Sequence, residues 1–210
     1  MQKVVPAILT ADPAELRRQL GVLKDRTKWV QIDIMDGKFV PSVSVNISEL
    51  GEACQFFNLE IHLMVTEPEK YLEDCGAAGA KRVYFHWEGT KDPEKTLSLM
   101  GRYSFQKGVA LNPETEIKMV APLADKMDAL LLLSVVPGAQ GHEFVSSVLD
   151  KVSVVKHLVF DTLIGVDGGI SEDNILGVFE KGADYVAVGS ALWKSKDPLA
   201  ALRKLEEMVS

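Results

Sequence analysis

Residues 29–37 read WVQIDIMDG, a short run in which polar side chains interrupt an otherwise apolar segment at every second position. With the period of two of an extended chain, Gln31, Asp33 and Met35 fall on one face. Seven further short apolar runs punctuate the chain, namely 4–9 VVPAIL, 59–65 LEIHLMV, 82–87 RVYFHW, 107–112 KGVALN, 129–136 ALLLLSVV, 163–169 LIGVDGG and 185–190 YVAVGS. Each reads as a strand. Longer amphipathic stretches separate them, several opening on helix-start signals: Asp12-Pro13 with Glu15, Thr66 with Glu69, Asp92-Pro93 and Asp197-Pro198. Eight strand–helix units in 210 residues leave about 26 residues each, which fits a compact (β/α)8 TIM barrel, whereas a doubly wound sheet more often uses about five or six strands. No linker, charge block or low-complexity stretch interrupts the series, so residues 1–210 are expected to form one α/β barrel domain.

Composition narrows the function classes. A hydrophobic content of 47% supplies one sizeable core. The net charge of −7 opposes a broad grip on nucleic acid or an anionic membrane, while a local anion site built from backbone N–H groups needs no net positive charge. Phosphorylated metabolites remain allowed as partners; nucleic acid and membrane are not expected. The first residues carry no basic segment leading to a cleavage site, and no eighteen apolar residues follow one another, so a cytoplasmic protein is expected. Cys54 and Cys75 form no C-x-x-C pair and read as small hydrophobes.

A parallel strand covered on both faces is almost entirely apolar, so an ionisable residue inside one implies pairing, metal binding or chemistry. Four strands carry such residues on one face: Gln31, Asp33 and Met35; Glu60, His62 and Met64; Tyr84, His86 and Glu88; Gly165, Asp167 and Gly169. All lie late in their strands, at the end of a (β/α)8 barrel where active sites are built. Asp33 and Asp167 sit on strands two and seven, well apart around the ring, and can reach a central substrate from opposite sides. Inverting a carbon beside a carbonyl needs that arrangement: one group removes a proton from one face, another delivers a proton to the other, and the enediolate between needs its charge stabilised. Asp33, His62 and Asp167 suit a divalent metal able to do the last. Glycine turns at Gly138, Gly169 and Gly189, each leading to a helix start, match the place where such barrels hold a phosphate.

The segments PAILTAD (6–12), QIDIMDGKFVP (31–41), EIHLMV (60–65), FHWE (85–88), GVALNPET (108–115), SVVPGAQGHEF (134–144), GVDGGI (165–170) and GADYVAVGSALWKSKDP (182–198) occur in order and with matching spacing. Together they resemble the signature segments of the ribulose-phosphate 3-epimerases over nearly the whole chain. No D-x-K-x-x-D segment of the related decarboxylases and hexulose-phosphate synthases is present. The resemblance implies a ribulose-phosphate-binding barrel that interconverts ribulose 5-phosphate and xylulose 5-phosphate at C3. It also implies one bound divalent cation, zinc, iron, manganese or cobalt, and a homo-oligomer, dimer or hexamer. Carried over by position, Asp33 and Asp167 match the acid/base pair and metal ligands, and His62 a third ligand. Met35 and Met64 match methionines near the substrate, while Gly141, Gly168, Gly169, Gly189 and Ser190 match the phosphate surroundings.

Several positions depart from the family pattern. Gln31 stands where the family has histidine before the strand-two aspartate, Ala7 where it has serine, Leu133 where it has methionine, and Gly138-Ala139-Gln140-Gly141-His142 replaces G-F-G-G-Q. An amide oxygen is a poorer ligand for zinc-like ions than imidazole, so Gln31 shifts the expectation toward manganese or magnesium. Ala7 lacks a hydroxyl worth about 1 kcal/mol toward substrate. His142 is a candidate to compensate near the phosphate. The leading expectation is an active pentose-phosphate 3-epimerase. The alternatives are an impaired paralogue that binds a sugar phosphate or protein partner, an epimerase for another ketose phosphate such as allulose 6-phosphate, and an aldol-type lyase on the same scaffold.

Overall fold

The computed structural model describes residues 2–138, 144–158 and 162–210. Eight parallel strands close on themselves in chain order: β1 (Val4–Ile8), β2 (Trp29–Met35), β3 (Asn58–Met64), β4 (Arg82–His86), β5 (Gln106–Leu111), β6 (Ala129–Leu133), β7 (Leu163–Asp167) and β8 (Tyr185–Val188). Every strand read from the apolar runs is present. Among the described residues, seven α-helices cover the outside: α1 (Pro13–Leu23), α2 (Leu72–Ala77), α3 (Pro93–Met100), α4 (Val148–His157), α5 (Ile175–Glu180), α6 (Ser190–Trp193) and α7 (Pro198–Met208). No helix among those residues is long and apolar enough to cross a membrane.

Three of the four expected helix starts hold. Asp12, Asp92 and Asp197 each accept a bond from a first-turn backbone N–H, those of Ala14, Lys95 and Ala200, and each precedes a proline whose missing N–H costs the first turn nothing. Thr66 does not cap a helix. Its N–H and hydroxyl both donate to Asp36, and a 3-10 turn, Pro68–Tyr71, precedes α2. The connections after β2 and β5 also differ from a uniform (β/α) reading, because each is made of short 3-10 turns. Gly51 ends one of these, Ile47–Leu50, and Pro122 lies inside another, Ala121–Lys126, so neither segment has a long uninterrupted run of helix formers.

The core lies in two shells. Outward residues such as Ile32, Leu59, Ile61 and Val166 pack beneath the helices, whereas Val5, Tyr84, Ala110, Leu131, Leu133 and Tyr185 fill the barrel. Two strand glycines make room for the tyrosines: a Cβ on Gly108 would lie 2.2 Å from Tyr84, and one on Gly165 2.5 Å from Tyr185. Beside them Arg82 bonds Glu60 at 2.6 Å, and the Tyr185 hydroxyl reaches both Glu60 and Tyr84. This polar plug lies toward the amino-terminal ends of the strands and leaves the opposite mouth to the site.

Candidate active site

Strand register brings the key side chains to one level. Ala7 pairs with Gln31, Asp33 with His62, Leu133 with Asp167, and Asp167 with Ala187. The inward faces open into a cleft at the carboxyl ends of the strands. Asp33, His62 and Asp167 line it, as do Ala7, Met35, Met64 and Gly138; so do Gly168, Gly169, Gly189 and Ser190. Gln31 is fully buried beneath. Gly141 and His142 lie outside the described residues. The apolar side chains of Leu9, Val135, Ile170 and Ala187 complete the wall, and none of the four stands out in the sequence. Their chemistry carries no signal; only their position just beyond or within strand ends marks them.

Two carboxyl groups share one pair of donors. Gln31 Nε2 donates to Asp33 Oδ1 at 2.8 Å and to Asp167 Oδ2 at 2.7 Å, while His62 Nδ1 lies 3.1 Å from Asp33 and 3.4 Å from Asp167. Burial opposes charge on His62, yet the Asp167 and Asp33 carboxyls override it and raise its pKa to about 9. Asp33 is raised above the usual carboxylate range, first by burial and further by the neighbouring Asp167, against the pull of His62. Gln31 Oε1 is buried without a hydrogen-bond partner among the described residues.

Behind this pair runs a second row. His62 Nε2 meets His86 Nε2 at 2.9 Å, and His86 Nδ1 meets Glu88 Oε2 at 3.3 Å. Burial lowers the His86 pKa to about 4, so this imidazole is neutral. Burial pushes Glu88 upward but is outweighed by His86, Thr115 and the Asn112 N–H, which hold it below the ordinary range.

Loops fix the rim. Ser134 donates to the carbonyls of Asp167 and Gly168 and so holds the end of β7. Gly168 has φ +109°, and a Cβ there would lie 2.5 Å from Val135, so a side chain is excluded by both backbone and space. Asn174 bonds the Gly169 carbonyl and the Ser171 N–H, closing the turn after β7. The carboxylate of Asp36, close to Asp33 in sequence, faces none of this chemistry; it accepts from the N–H groups of Lys38, Phe39 and Thr66.

The donor set fits a divalent cation. Asp33, His62 and Asp167 each offer a ligand atom, all within 4.8 Å of one another. Two carboxylate oxygens and an imidazole nitrogen suit zinc, manganese, iron or cobalt, while Gln31 turns its Nε2 rather than its oxygen toward them.

Comparison with known proteins gives the family. The Ribulose-phosphate 3 epimerase family matches residues 3–193. Ribulose-phosphate 3-epimerase of Bacillus subtilis is 34% identical over 98% of this chain and 98% of its own length. That of Schizosaccharomyces pombe is 30% identical over 99% and 93%, and that of Synechocystis 32% over 95% and 90%. Among solved structures, a tryptophan synthase α-subunit of Pyrococcus furiosus superposes with a TM-score of 0.73 at 14% identity, covering 98% of this chain and 96% of that one. Orotidine 5'-phosphate decarboxylase of Pyrococcus horikoshii superposes with 0.71 at 11%, covering 98% of both. These two likenesses speak to the fold. Barrel and relatives together define an enzyme of the carbohydrate-epimerase class. The chain belongs to the ribulose-phosphate 3-epimerase family.

Proposed function

We propose that the chain interconverts ribulose 5-phosphate and xylulose 5-phosphate, with Asp33 and Asp167 as the proton-transfer pair. The observation that carries this reading is the convergence of both carboxyl groups on one cleft, bridged by Gln31 and His62. In one direction a carboxylate takes the C3 proton, the electron pair delocalises onto the adjacent carbonyl, and the other carboxyl group returns a proton to the opposite face. The reverse direction exchanges the roles. Burial, and then the neighbouring Asp167, raise the Asp33 carboxyl above the usual carboxylate range, which makes it readier to deliver a proton than an exposed aspartate would be.

Asp33, His62 and Asp167 would hold a divalent cation, whose charge supplies electrostatic stabilisation to the enediolate. Gln31 would add its amide oxygen after a half-turn that exchanges Oε1 with Nε2, and an oxygen donor there favours manganese or magnesium relative to a histidine-containing set. Met35, Met64 and Ile170 exclude water from the reacting carbon. Backbone around Gly168, Gly169, Gly189 and Ser190 would take the phosphate at the rim.

Deuterium incorporation at C3 of ribulose 5-phosphate in D2O, with each of Zn2+, Mn2+, Fe2+, Co2+ and Mg2+, tests the reading. Wild-type protein should exchange C3 hydrogen, and Asp33→Asn or Asp167→Asn should lower the rate by roughly 10²–10⁴-fold. Exchange with allulose 6-phosphate alone would move the assignment to a longer ketose phosphate. No exchange with either sugar and any ion would leave a sugar-phosphate-binding paralogue, the reading that the Gln31 and Ala7 departures favour.

A further inference from the structure

We infer that His86 and Glu88 are positioning residues that fix which nitrogen of His62 offers a lone pair to the cation, a proposal that rests on the metal reading above. His62 presents Nδ1 to Asp33 and Asp167, so Nδ1 is the atom available as ligand. A neutral imidazole has one N–H and one lone pair, and a ligating Nδ1 therefore requires the proton on Nε2. Among the described residues, His62 Nε2 faces one partner, His86 Nε2 at 2.9 Å. That contact is a hydrogen bond only if one of the two nitrogens is an acceptor. The far side of His86 decides which. Its Nδ1 faces Glu88 Oε2, and a carboxylate accepts only, so the His86 proton belongs on Nδ1 and its Nε2 carries the lone pair. Phe39 lies against the same ring, with centroids 4.7 Å apart, and its side chain offers no competing donor.

Proton order along the row is thus set at its outer end: Glu88 accepts from His86, and His86 accepts from His62. Both imidazoles are fully buried, so water cannot substitute for either partner. The outer end is itself anchored, because Glu88 Oε1 accepts from the Asn112 N–H at 3.0 Å and from the Thr115 hydroxyl. Partners of this kind behind a metal-bound histidine typically govern metal affinity by about 10–100-fold.

Glu88→Gln reverses the order without removing a heavy atom. Asn112 and Thr115 still donate to one oxygen of the side chain, which forces the amide oxygen toward them and the NH2 toward His86. His86 Nδ1 then becomes an acceptor, its proton moves to Nε2, and the proton of a neutral His62 is driven onto Nδ1, the ligand position. Two readouts on the full chain test this: imidazole nitrogen NMR with and without Zn2+, which reports the protonated nitrogen of each ring, and Zn2+ affinity by chelator competition. Wild-type protein should show His86 protonated on Nδ1, and Glu88→Gln should show it protonated on Nε2, with Zn2+ bound about 10–100-fold more weakly. A wild-type His86 protonated on Nε2, a pattern that does not switch in Glu88→Gln, or a switched pattern with unchanged Zn2+ affinity would each overturn the relay. Failure of the wild type itself to bind Zn2+ would instead bring down the metal reading, and the relay with it.

Discussion

Gln31 is the most consequential of the departures read in the sequence, and its amide lies between two carboxyl groups. Two buried carboxyl groups beside each other repel, and Nε2 bonds both at 2.7–2.8 Å while His62 Nδ1 lies 3.1 Å from Asp33 and 3.4 Å from Asp167. The site is thus held in shape by protein donors in the place where the family pattern has an imidazole. Gln31→His should tighten Zn2+ binding by about tenfold or more, equivalent to about 1.4 kcal/mol, and raise C3 exchange in the presence of zinc. Chelator competition and the deuterium assay measure the two effects, and an unchanged affinity would show that position 31 contributes no ligand. Asp33, His62 and Asp167 are legible in the sequence because an ionisable residue in a doubly covered strand is an anomaly that demands a partner. The orientation of Gln31 is not, since an amide offers a donor and an acceptor on the same side chain and only its neighbours choose between them. Nor is the pairing of His86 with His62, which needs the stagger between β3 and β4.

At the scale of an element, the loop after β2 shows how a motif residue can serve structure beside chemistry. Asp36 gathers four bonds of 2.9 Å, from the backbone of Lys38, Phe39 and Thr66 and from the Thr66 hydroxyl, so it ties the exits of β2 and β3 together. Phe39 and Val40 are thereby set against Met35 and Met64 at the mouth. Thr66 reads like a helix cap because threonine followed by glutamate three positions on is the usual signature, but Asp36 offers a stronger, charged acceptor. Partial burial raises the Asp36 carboxyl, and the N–H groups of Phe39, Lys38 and Thr66 more than reverse this, leaving its pKa below the ordinary value of 3.8. A group depressed on folding contributes stability above its unfolded pKa and loses it as pH falls through the folded one. Asp36→Ala should therefore cost about 1–3 kcal/mol at pH 7, with the difference from wild type shrinking once the pH drops below about 3.8. Urea unfolding of both proteins at pH 7 and at pH 3 measures it, and an equal difference at the two pH values would refute the assignment of charge to those bonds.

Across the whole molecule, the barrel carries two polar centres on one axis, and only one of them faces the cleft. The closed eight-strand order follows from counting apolar runs, because register and curvature come with the number of strands rather than with any single residue. The inner plug is half visible in the sequence: Glu60 stands out as an acid within a strand, whereas Arg82, at the start of its run, resembles an ordinary exposed boundary residue. In the fold Arg82 bonds Glu60 and Gln106 and lies over the Trp29 ring at 4.5 Å, with the Tyr185 hydroxyl on the same carboxylate. Burial raises Glu60, and Arg82 pulls the other way, so the pair stands or falls together. Arg82→Met leaves a buried carboxyl group without its cation and should cost about 3–5 kcal/mol, as should Glu60→Leu for the stranded guanidinium. The double variant removes both charges from a site that is otherwise aromatic and aliphatic. It should be destabilised by less than the sum of the single changes, with a coupling of about 1–3 kcal/mol in a double-mutant cycle from urea unfolding. Because no hydrogen bond among the described residues joins the Arg82–Glu60–Tyr185 plug to the cleft, Zn2+ affinity should stay within about twofold of wild type in every variant that folds. Additive losses would mean that Glu60 and Arg82 are held by their other partners, and a parallel loss of Zn2+ affinity would mean that the barrel transmits the change to its mouth.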